Sequence, residues 1–413
     1  MKVLFVHQNF PGQYLHIARY LGAIPGNEVV FITQRTDASL PGVRKLVYKA
    51  KRESTRGVHH YINEAEAAIL NAQEVARVAL GLKESGFVPD VMLAHNGWGE
   101  LWYLKDVYPD TPLIGYFEFF YRFKGADVGF EPGPPLIFDA APRIRTKNIG
   151  NLIGLDAADH GQCPTAWQKS LYPKEYHHKL HLIHEGIDTQ NVAPNPDVQF
   201  KIPHTDITLT RDDEVVTYVS RNLEPYRGFP SFMRSLPSIL SKRPKAKVLV
   251  VGGDDTSYGP KLADGKTFRQ VMLDELGDSL DLSRVHFLGK VPYSNFIQIL
   301  QVSSVHVYLT YPFVLSWSML EAMSAGCLIV GSRTQPVEEV IQDGVNGLLV
   351  DIFNPAQIAD RVVDVLSDRG AFVDIQNRAR QTIVNRYDLR TICLPAHLTM
   401  LDWVRVKHRD TLR

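Results

Sequence analysis

Short apolar runs alternate with helical patterns along almost the whole chain, and this alternation limits the possible folds more than any other feature. The run Val3–Val6 is followed by a loop and by apolar residues three and four apart, and the next run, Val29–Ile32, completes a strand–helix–strand unit. Such runs are typical of parallel strands that helices cover on both faces. The sequence therefore predicts an α/β fold with doubly wound parallel sheets.

The same alternation continues through both halves of the chain. Further predicted strands are Val91–Ala94, Leu113–Tyr116, Val215–Ser220, Val248–Val251, Val285–Leu288, Val305–Leu309, Leu328–Val330 and Leu348–Val350. Helical spacing predicts helices over 63–84, Phe229–Leu240, Phe296–Val302 and Ile358–Leu366. Since ligands of open parallel sheets bind beyond the carboxyl ends of the strands, residues that follow these runs are the candidates for a site.

Two domains are expected, because 413 residues exceed what one hydrophobic core usually supports. The polar, proline-containing stretch 188–213 predicts a linker, after which the alternation restarts. We assign residues 1–190 to the N-terminal domain and 191–388 to the C-terminal domain, and we expect 389–413 to return to the first as a helix. Two open sheets joined in this way suggest one ligand cleft between them.

Composition excludes several classes of function. Lysine plus arginine equals aspartate plus glutamate, 45 of each, so no global field would draw the chain to nucleic acid. The three cysteines, Cys163, Cys327 and Cys393, are far apart and fit buried thiols better than a disulfide framework or a zinc site. The first apolar run is too short for a signal peptide, so a cytoplasmic protein is expected, with peripheral membrane contact left open.

The stretch 305–326 carries the most chemical information. A strand ends near Thr310, and a helix is predicted to begin near Ser318, so the backbone N–H groups of the turn would suit a diphosphate. Glu321 is predicted in the first turn of that helix, where its natural partners are hydroxyls such as those of a ribose. Alternatively, Ser318 and Glu321 form a capping box.

Two arginines follow the strand Val215–Ser220. Arg221 and Arg227 lie in the sequence SRNLEPYRGF, where paired guanidinium donors can hold a diphosphate and stabilise the charge of a leaving group. The alternative is a solvated loop with incidental charge. We expect alanine at either position to abolish the activity of this site and to leave the fold intact.

Weaker signals follow three other strands. Gly12 and Gly253 would let the backbone approach a phosphate or a sugar closely, although tight turns explain both glycines equally well. His95 and Trp98 follow a central strand, so His95 could bond to an acceptor and Trp98 could stack on a sugar face. A structural histidine and a core tryptophan are the alternatives.

With these residues in view, the sequence resembles the family 4 glycosyltransferases, which are retaining enzymes of the GT-B fold. The resemblance covers nearly the whole chain and is most specific across 214–355. The segments that carry it are SRNLEPYRGF, VLVVGGD, VHFLGKVPYSNF, LEAMSAG and EEVIQDGVNGLLVD. It implies two Rossmann-like domains that face each other across a cleft. It also implies transfer of a sugar from a nucleotide diphosphate donor to a hydroxyl of a sugar, glycolipid or glycoconjugate, with no cofactor and no required metal.

The resemblance assigns roles position by position. Arg221 matches an arginine that contacts the donor diphosphate, and Arg227 stands where lysine is usual. Glu321 matches the glutamate that holds the ribose hydroxyls. The other donor-site assignments place Gly12 near the donor phosphates, Val291 near the nucleobase, and the backbone of Ser316, Trp317, Ser318 and Met319 against the diphosphate or the transferred sugar.

Two positions depart from the family pattern. Phe313 stands where many members have the first of two glutamates, so either sugar recognition is rebuilt with other groups or the chain is a non-catalytic nucleotide-sugar-binding subunit. Glu118 stands where many members carry a histidine near the reactive centre of the sugar. It could accept bonds from sugar hydroxyls or stabilise positive charge on the ring, unless it is simply paired with Arg122.

An epimerase is an alternative to sugar transfer, and a metal site is an alternative to metal-independent chemistry. A sugar-nucleotide epimerase on the same scaffold would be expected to show a catalytic carboxylate cluster, which is not obvious here. Asp254 and Asp255 are the nearest match to a metal-binding acidic pair, but they do not follow a strand convincingly.

Overall fold

The computed structural model describes residues 1–133 and 135–411, so the last two residues of the predicted C-terminal helix lie outside the described residues. The chain folds as two compact units. Unit 1 contains Met1–Gly186 and the C-terminal segment from Leu389 onward, and unit 2 contains Ile187–Asp388. Each unit is an α/β domain with its own parallel sheet.

Unit 1 is built on a parallel sheet in the order β3-β2-β1-β4-β5-β6-β7. The strands are β1 Lys2–Val6, β2 Glu28–Thr33, β3 Val43–Val47, β4 Val91–His95, β5 Leu113–Tyr116, β6 His160–Cys163 and β7 Leu180–Leu182. The helices are α1 Leu15–Gly22, α2 Asn63–Glu84, α3 Leu104–Val107, α4 Ala140–Lys147, α5 Ile149–Ala157, α6 Ala166–Leu171 and the C-terminal α14 Leu394–Thr411. The strand order reverses beside β1, which places loops after β1 and β4 at a point where such sheets bind ligands.

Unit 2 repeats this architecture with the order β12-β11-β10-β13-β14-β15, again in parallel. Its strands are β10 Val215–Asn222, β11 Lys247–Gly253, β12 Val285–Gly289, β13 Val305–Tyr308, β14 Ile329–Ser332 and β15 Leu348–Val350. The helices are α7 Phe229–Lys242, α8 Phe268–Leu276, α9 Tyr293–Val302, α10 Trp317–Ser324, α11 Gln335–Glu338, α12 Pro355–Ser367 and α13 Val373–Arg386. Both doubly wound sheets confirm the predicted fold class.

The stretch 188–213 is not a linker, which corrects the sequence-based prediction. It folds into unit 2, where β8 Phe200–Lys201 and β9 Thr208–Leu209 form a small antiparallel pair. Val198, Phe200, Ile202 and Leu209 are buried in one core cluster with residues of β10 and β11. Val198, Phe200 and Ile202 alternate with polar residues over a short stretch that prolines and polar residues surround, which is why the stretch looks like a linker in the sequence.

The C-terminal segment contributes to the core of unit 1. A π-helical turn, Leu389–Cys393, leads into α14. Met400, Leu401 and Val404 are buried in one core cluster with residues of α1, β1, β2 and β4. Burial of three such side chains contributes roughly 5 kcal/mol before the entropy of ordering the segment is counted.

The thiols and the helices complete this description. Cys163, Cys327 and Cys393 are free and buried, as predicted. Burial raises the pKa of Cys163 and of Cys327 to about 12. Among the described residues, none of the helices combines the length and the apolar character needed to span a membrane.

Candidate functional site

The carboxyl ends of β1, β4 and β5 bring several candidate residues of unit 1 together. The His7 and His95 rings lie 4.5 Å apart between centroids, and His95 stacks between Trp98 at 4.9 Å and Tyr116 at 5.1 Å. His95 is fully buried, whereas Trp98 is half-buried. Direct contact between His95 and an acceptor, as predicted, is therefore not available in this arrangement.

Both histidines of this cluster are neutral near pH 7. Burial lowers the pKa of His7 to about 4, although a hydrogen bond with Gln13 opposes the shift. Burial, followed by the nearby His7, lowers the pKa of His95 well below its usual value. The cluster therefore carries no positive charge under ordinary conditions.

Glu118 follows β5 and faces this cluster. Its Oε2 lies 3.9 Å from His95 Nε2, and its Oε1 accepts a 3.4 Å hydrogen bond from Gln13 Nε2. The side chain of Glu118 is 39% exposed, so a ligand can reach it. Arg122, the alternative partner considered above, donates from Nε to the Leu171 carbonyl at 2.7 Å.

Gly12 lies in the turn after β1, with a positive φ of 55°. A Cβ at this position would lie 2.5 Å from His7 Nε2. The turn therefore requires glycine both for its backbone conformation and for the close approach of the His7 ring.

In unit 2, Arg221 is the exposed penultimate residue of β10. Within the described part of the chain, its guanidinium forms no hydrogen bond or ion pair. The next residue, Asn222, pairs in register with Gly253 at the end of β11. A Cβ on Gly253 would lie 2.6 Å from Asn222 Oδ1 and 2.7 Å from Lys290 Cε. Lys290, an exposed cation after β12, thus lies over Gly253. It is not among the residues singled out from the sequence.

Arg227 is buried, which differs from the predicted pair of ligand-facing arginines. Its Nη1 donates to the Thr310 hydroxyl at 2.8 Å, the Val314 carbonyl at 3.1 Å and the Tyr308 hydroxyl at 3.3 Å. The guanidinium also lies over the Tyr258 ring. Arg227 therefore fixes the loop after β13, because its Nη1 donates to groups at the end of this strand and in the loop itself.

The turn before α10 also differs from the prediction. Ser316, in extended conformation, caps the helix, and its Oγ accepts from Ser318 N at 3.3 Å. Ser316 N donates to the Tyr308 hydroxyl at 2.8 Å, and Met319 N donates to the Ser316 carbonyl at 3.3 Å. Three backbone N–H groups expected to be free for a diphosphate are thus bonded within the protein. Trp317 is half-buried, whereas Ser318 and Met319 are buried.

Glu321 does not take part in a capping box, because the cap is Ser316 and Glu321 lies beyond the first turn of α10. Its Oε1 accepts a 2.7 Å hydrogen bond from the hydroxyl of Tyr293, at the start of α9. Burial raises the pKa of Glu321, while the bond from Tyr293 opposes the shift. Val291, two residues before Tyr293, is half-buried against the unit 2 core.

Phe313 is buried in an aromatic cluster. Its ring lies 5.0 Å from Tyr258 and 5.7 Å from Tyr226, which stacks on Tyr311 at 5.0 Å. These contacts explain why an apolar residue is stable where many family members have a glutamate.

The acidic pair after β11 is engaged with cations. Asp254 pairs with Arg269 at 2.6 Å, and Asp255 lies 3.9 Å from Lys261. Across residues 1–133 and 135–411, no three histidine, cysteine, aspartate or glutamate side chains cluster in a way that would hold a metal ion.

Two family models match the chain, one on each side of residue 200. Residues 25–192 match the model described as glycosyl transferase family 4 group. Residues 203–382 match the model described as glycosyl transferases group 1. Together the two matches extend over most of the chain.

Curated relatives are distant and match only in part. D-inositol 3-phosphate glycosyltransferase of Corynebacterium glutamicum is 23% identical over 192 residues, which cover 46% of this chain and 44% of the relative. N-acetyl-alpha-D-glucosaminyl L-malate synthase of Bacillus anthracis is 24% identical over 262 residues, covering 59% of this chain and 64% of the relative. The chain spans about half the length of the curated relatives it matches.

Solved structures match nearly the whole chain. HepE of Anabaena, solved in complex with UDP, has a TM-score of 0.67 at 15% identity, covering 97% of this chain and 99% of that one. Sucrose-phosphate synthase of Thermosynechococcus elongatus has a TM-score of 0.71 at 16% identity, covering 98% and 99%. At these identities the likeness establishes the fold.

Proposed function

Because this chain belongs to the group 1, family 4 type of glycosyltransferases and has their GT-B fold, we propose that it transfers a sugar from a nucleotide diphosphate donor to an acceptor hydroxyl. The reaction proceeds with retention at the anomeric carbon, as the resemblance implies. The observation that carries the proposal is the buried Glu321 carboxylate, held by Tyr293, in a unit whose strand ends also present Arg221 and Lys290.

The donor occupies unit 2 in this proposal. Glu321 accepts hydrogen bonds from the ribose hydroxyls, and Val291 lies against the nucleobase. Arg221 and Lys290 bind the diphosphate from β10 and from the end of β12, the two strands on either side of β11, and Gly253 at the end of β11 lets the Lys290 side chain approach closely. Two exposed cations suit this role because a diphosphate carries dispersed negative charge.

Arg227 acts on the donor site through the loop that it holds. Its Nη1 joins Tyr308, Thr310 and Val314, and the Tyr308 hydroxyl in turn receives Ser316 N. The loop is therefore fixed before the donor binds, so no ordering cost is added at that step. Its buried positive charge adds to the local field that favours an anionic leaving group.

In the chemical step, the acceptor oxygen forms a bond to the anomeric carbon, and the bond from that carbon to the β-phosphate oxygen breaks. The acceptor proton passes to the departing diphosphate, whose growing negative charge Arg221 and Lys290 stabilise. The proposed role of Glu118, which lies in unit 1, is to accept hydrogen bonds from sugar hydroxyls, because its carboxylate is exposed.

The test is a comparison of the wild-type chain with Arg221→Ala. Both are screened by thermal shift against UDP-glucose, UDP-N-acetylglucosamine and GDP-mannose, since a ligand that binds only the native state raises the melting temperature. The nucleotide sugar that binds is then offered to glucosides and glycolipids, and the product's anomeric configuration is read by NMR. Transfer by the wild type and its loss in Arg221→Ala support the proposal, whereas near-normal turnover in the variant contradicts it.

A second candidate is a non-catalytic nucleotide-sugar-binding subunit, which Phe313 favours. Phenylalanine offers no carboxylate to a sugar at this position, and its ring packs against Tyr226 and Tyr258. A wild-type chain that binds a nucleotide sugar but transfers it to no acceptor would support this candidate. Conversion of the donor into an epimer without any acceptor would instead indicate an epimerase.

A further inference from the structure

The direction of the hydrogen bonds around Glu118 is set by two backbone amides. Asn9 N donates to His7 Nδ1 at 2.9 Å, and Gly97 N donates to His95 Nδ1 at 2.8 Å. A ring nitrogen that accepts a hydrogen bond carries no proton, so each neutral imidazole has its proton on Nε2. Both histidines therefore act as donors through Nε2.

From His7, a continuous path leads to Glu118. His7 Nε2 lies 2.6 Å from Gln13 Oε1, and this contact requires His7 to donate and the amide oxygen to accept. The amide oxygen of Gln13 is thereby oriented, so its Nε2 is left to donate toward Glu118 Oε1 at 3.4 Å. The path thus runs from the Asn9 backbone to the carboxylate in one direction.

The second histidine faces the other carboxylate oxygen. Its Nε2 is buried, has no hydrogen-bond partner and lies 3.9 Å from Glu118 Oε2. A buried N–H without an acceptor is costly, and Oε2 is the acceptor toward which this group is aimed. Both oxygens of the carboxylate are thus faced by neutral donors, Gln13 on one side and His95 on the other.

We propose that His7, Gln13 and His95 are positioning residues that hold Glu118 as a hydrogen-bond acceptor, so that the ligand group it selects is a free sugar hydroxyl acting as donor. The inference rests on the proposed function. Since neither imidazole is charged, neither cancels the negative charge of Glu118. A hydroxyl can donate to it, whereas an ether oxygen or a phosphate cannot.

The path ends on an exposed group, which distinguishes it from a structural network. His7 and His95 are buried, Gln13 is half-buried, and the Glu118 side chain is 39% exposed. A network that served only stability would need no accessible acceptor at its end. The hydroxyl belongs either to the transferred sugar or to the acceptor, and the experiment separates these two sources.

The test compares Gln13→Met, which keeps the side-chain length but removes both hydrogen bonds, with Gln73→Met as a control on the exposed face of α2. Affinity for UDP and for UDP-glucose is measured by calorimetry, and the KM for a glucoside acceptor is measured by transfer. If Glu118 receives the transferred sugar, UDP-glucose binds about tenfold more weakly while UDP is unaffected. If it receives the acceptor, donor affinity is unchanged and the acceptor KM rises about tenfold.

Two results would overturn the proposal. One is a Gln13→Met chain with unaltered sugar affinity and unaltered acceptor KM. The other is equal weakening of UDP and UDP-glucose, which would show general damage. Glu118→Gln gives a further check, because its amide can donate to an ether. We expect one mono-O-methyl analogue of the bound sugar to bind this variant but not the wild type. If methylation of no hydroxyl gives this difference, the result also counts against the proposal.

A measurement without substrate separates failure of this inference from failure of the proposed function. Imidazole ¹⁵N spectra of the full chain report the tautomers, and we expect Nε2–H for both His7 and His95. In Gln13→Met the His7 Nε2 signal shifts while that of His95 Nδ1 does not. Nδ1–H tautomers would refute the positioning role. The expected tautomers in a chain that binds no nucleotide sugar would refute the proposed function alone.

Discussion

The Tyr293 hydroxyl donates a 2.7 Å hydrogen bond to Oε1 of Glu321, and it joins the first residue of α9 to the second turn of α10. Burial raises the pKa of Glu321, and the Tyr293 bond works against that shift. The bond therefore helps to keep a buried carboxylate ionised and fixed in one orientation. Tyr293 is itself 60% exposed, so its ring lies at the surface of the proposed donor site.

Tyr293→Phe is expected to weaken UDP binding about fivefold, because removal of the hydroxyl loosens Glu321 and costs on the order of 1 kcal/mol. Binding depends on ionised Glu321, so affinity falls as pH drops through its pKa. That fall should begin at a higher pH in the variant, where the lowering influence of Tyr293 is gone. Calorimetry between pH 5 and 8 checks this, with exposed Tyr20→Phe as control. Identical pH profiles for variant and wild type would contradict the assignment.

Arg221 in β10 and Arg227 in the loop after it should differ in their effects on stability. Arg221 is exposed, and its guanidinium has no partner among the residues that the structure describes, so Arg221→Gln should abolish transfer and leave the melting temperature unchanged. Arg227 is buried on three acceptors. Arg227→Gln should therefore abolish transfer and also lower the free energy of unfolding by about 2–4 kcal/mol. This revises the expectation that either substitution spares the fold. Equal melting temperatures for both variants would show that the buried bonds of Arg227 contribute little.

Lys290→Gln should raise the KM for the nucleotide sugar about tenfold, since one of two diphosphate cations is removed. The salt dependence of binding should become shallower, because one fewer charge pair is screened. Gly253→Ala should act in the same direction by displacing the Lys290 side chain. Steady-state kinetics at several salt concentrations check both variants, and exposed Lys245→Gln is the matched control. An unchanged KM in Lys290→Gln would exclude this lysine from the donor site.

His306 should make unit 2 sensitive to acid. Its Nδ1 lies 2.8 Å from the Thr217 hydroxyl, which also bonds to Ser303, and burial lowers the pKa of His306 from 6.5 to about 3. The unfolded chain then binds more protons than the folded one below pH 6.5. The contribution of neutral His306 is therefore complete above that pH and declines as pH falls toward 3, by up to about 1.4 kcal/mol per pH unit.

Urea unfolding of the wild type and His306→Asn at pH 7.5, 6.0 and 5.0 measures this decline. The variant should be less stable at pH 7.5 but should lose less stability on acidification. Exposed His178→Asn serves as the control. A variant with the same acid sensitivity as the wild type would show that His306 is not the group responsible.

Much of the fold could be predicted from apolar patterning. The long helix over 63–84 and the strands of unit 2 lie where the sequence predicts them, because buried parallel strands have continuous apolar runs. Strand β6, His160–Cys163, was missed since its sequence, HGQC, has no such run and is defined by its neighbours in the sheet. The cap of α10 was misplaced by two residues, because SWS offers two serines and only the backbone conformation decides between them.

The site was less predictable, because its geometry depends on contacts across the sheet. Arg221 and Glu321 could be singled out from strand ends and from the resemblance. The burial of Arg227 could not, since it depends on Tyr308 and Thr310 at the end of a different strand. Lys290 lies beside Gly253 only through the packing of β11 against β12. A lysine directly after a predicted strand is the signal that could have identified it.

The placement of α14 in the core of unit 1 affects how the protein is made. The strands of unit 1 are translated first, but Met400, Leu401 and Val404, which belong to the same core cluster, are translated only after the whole of unit 2. The whole of unit 2 can therefore fold while unit 1 still exposes the apolar surface that this segment later buries. A nascent chain that is stalled after Asp388, before this segment is translated, should for this reason be more prone to aggregate and more dependent on chaperones than a chain that contains it.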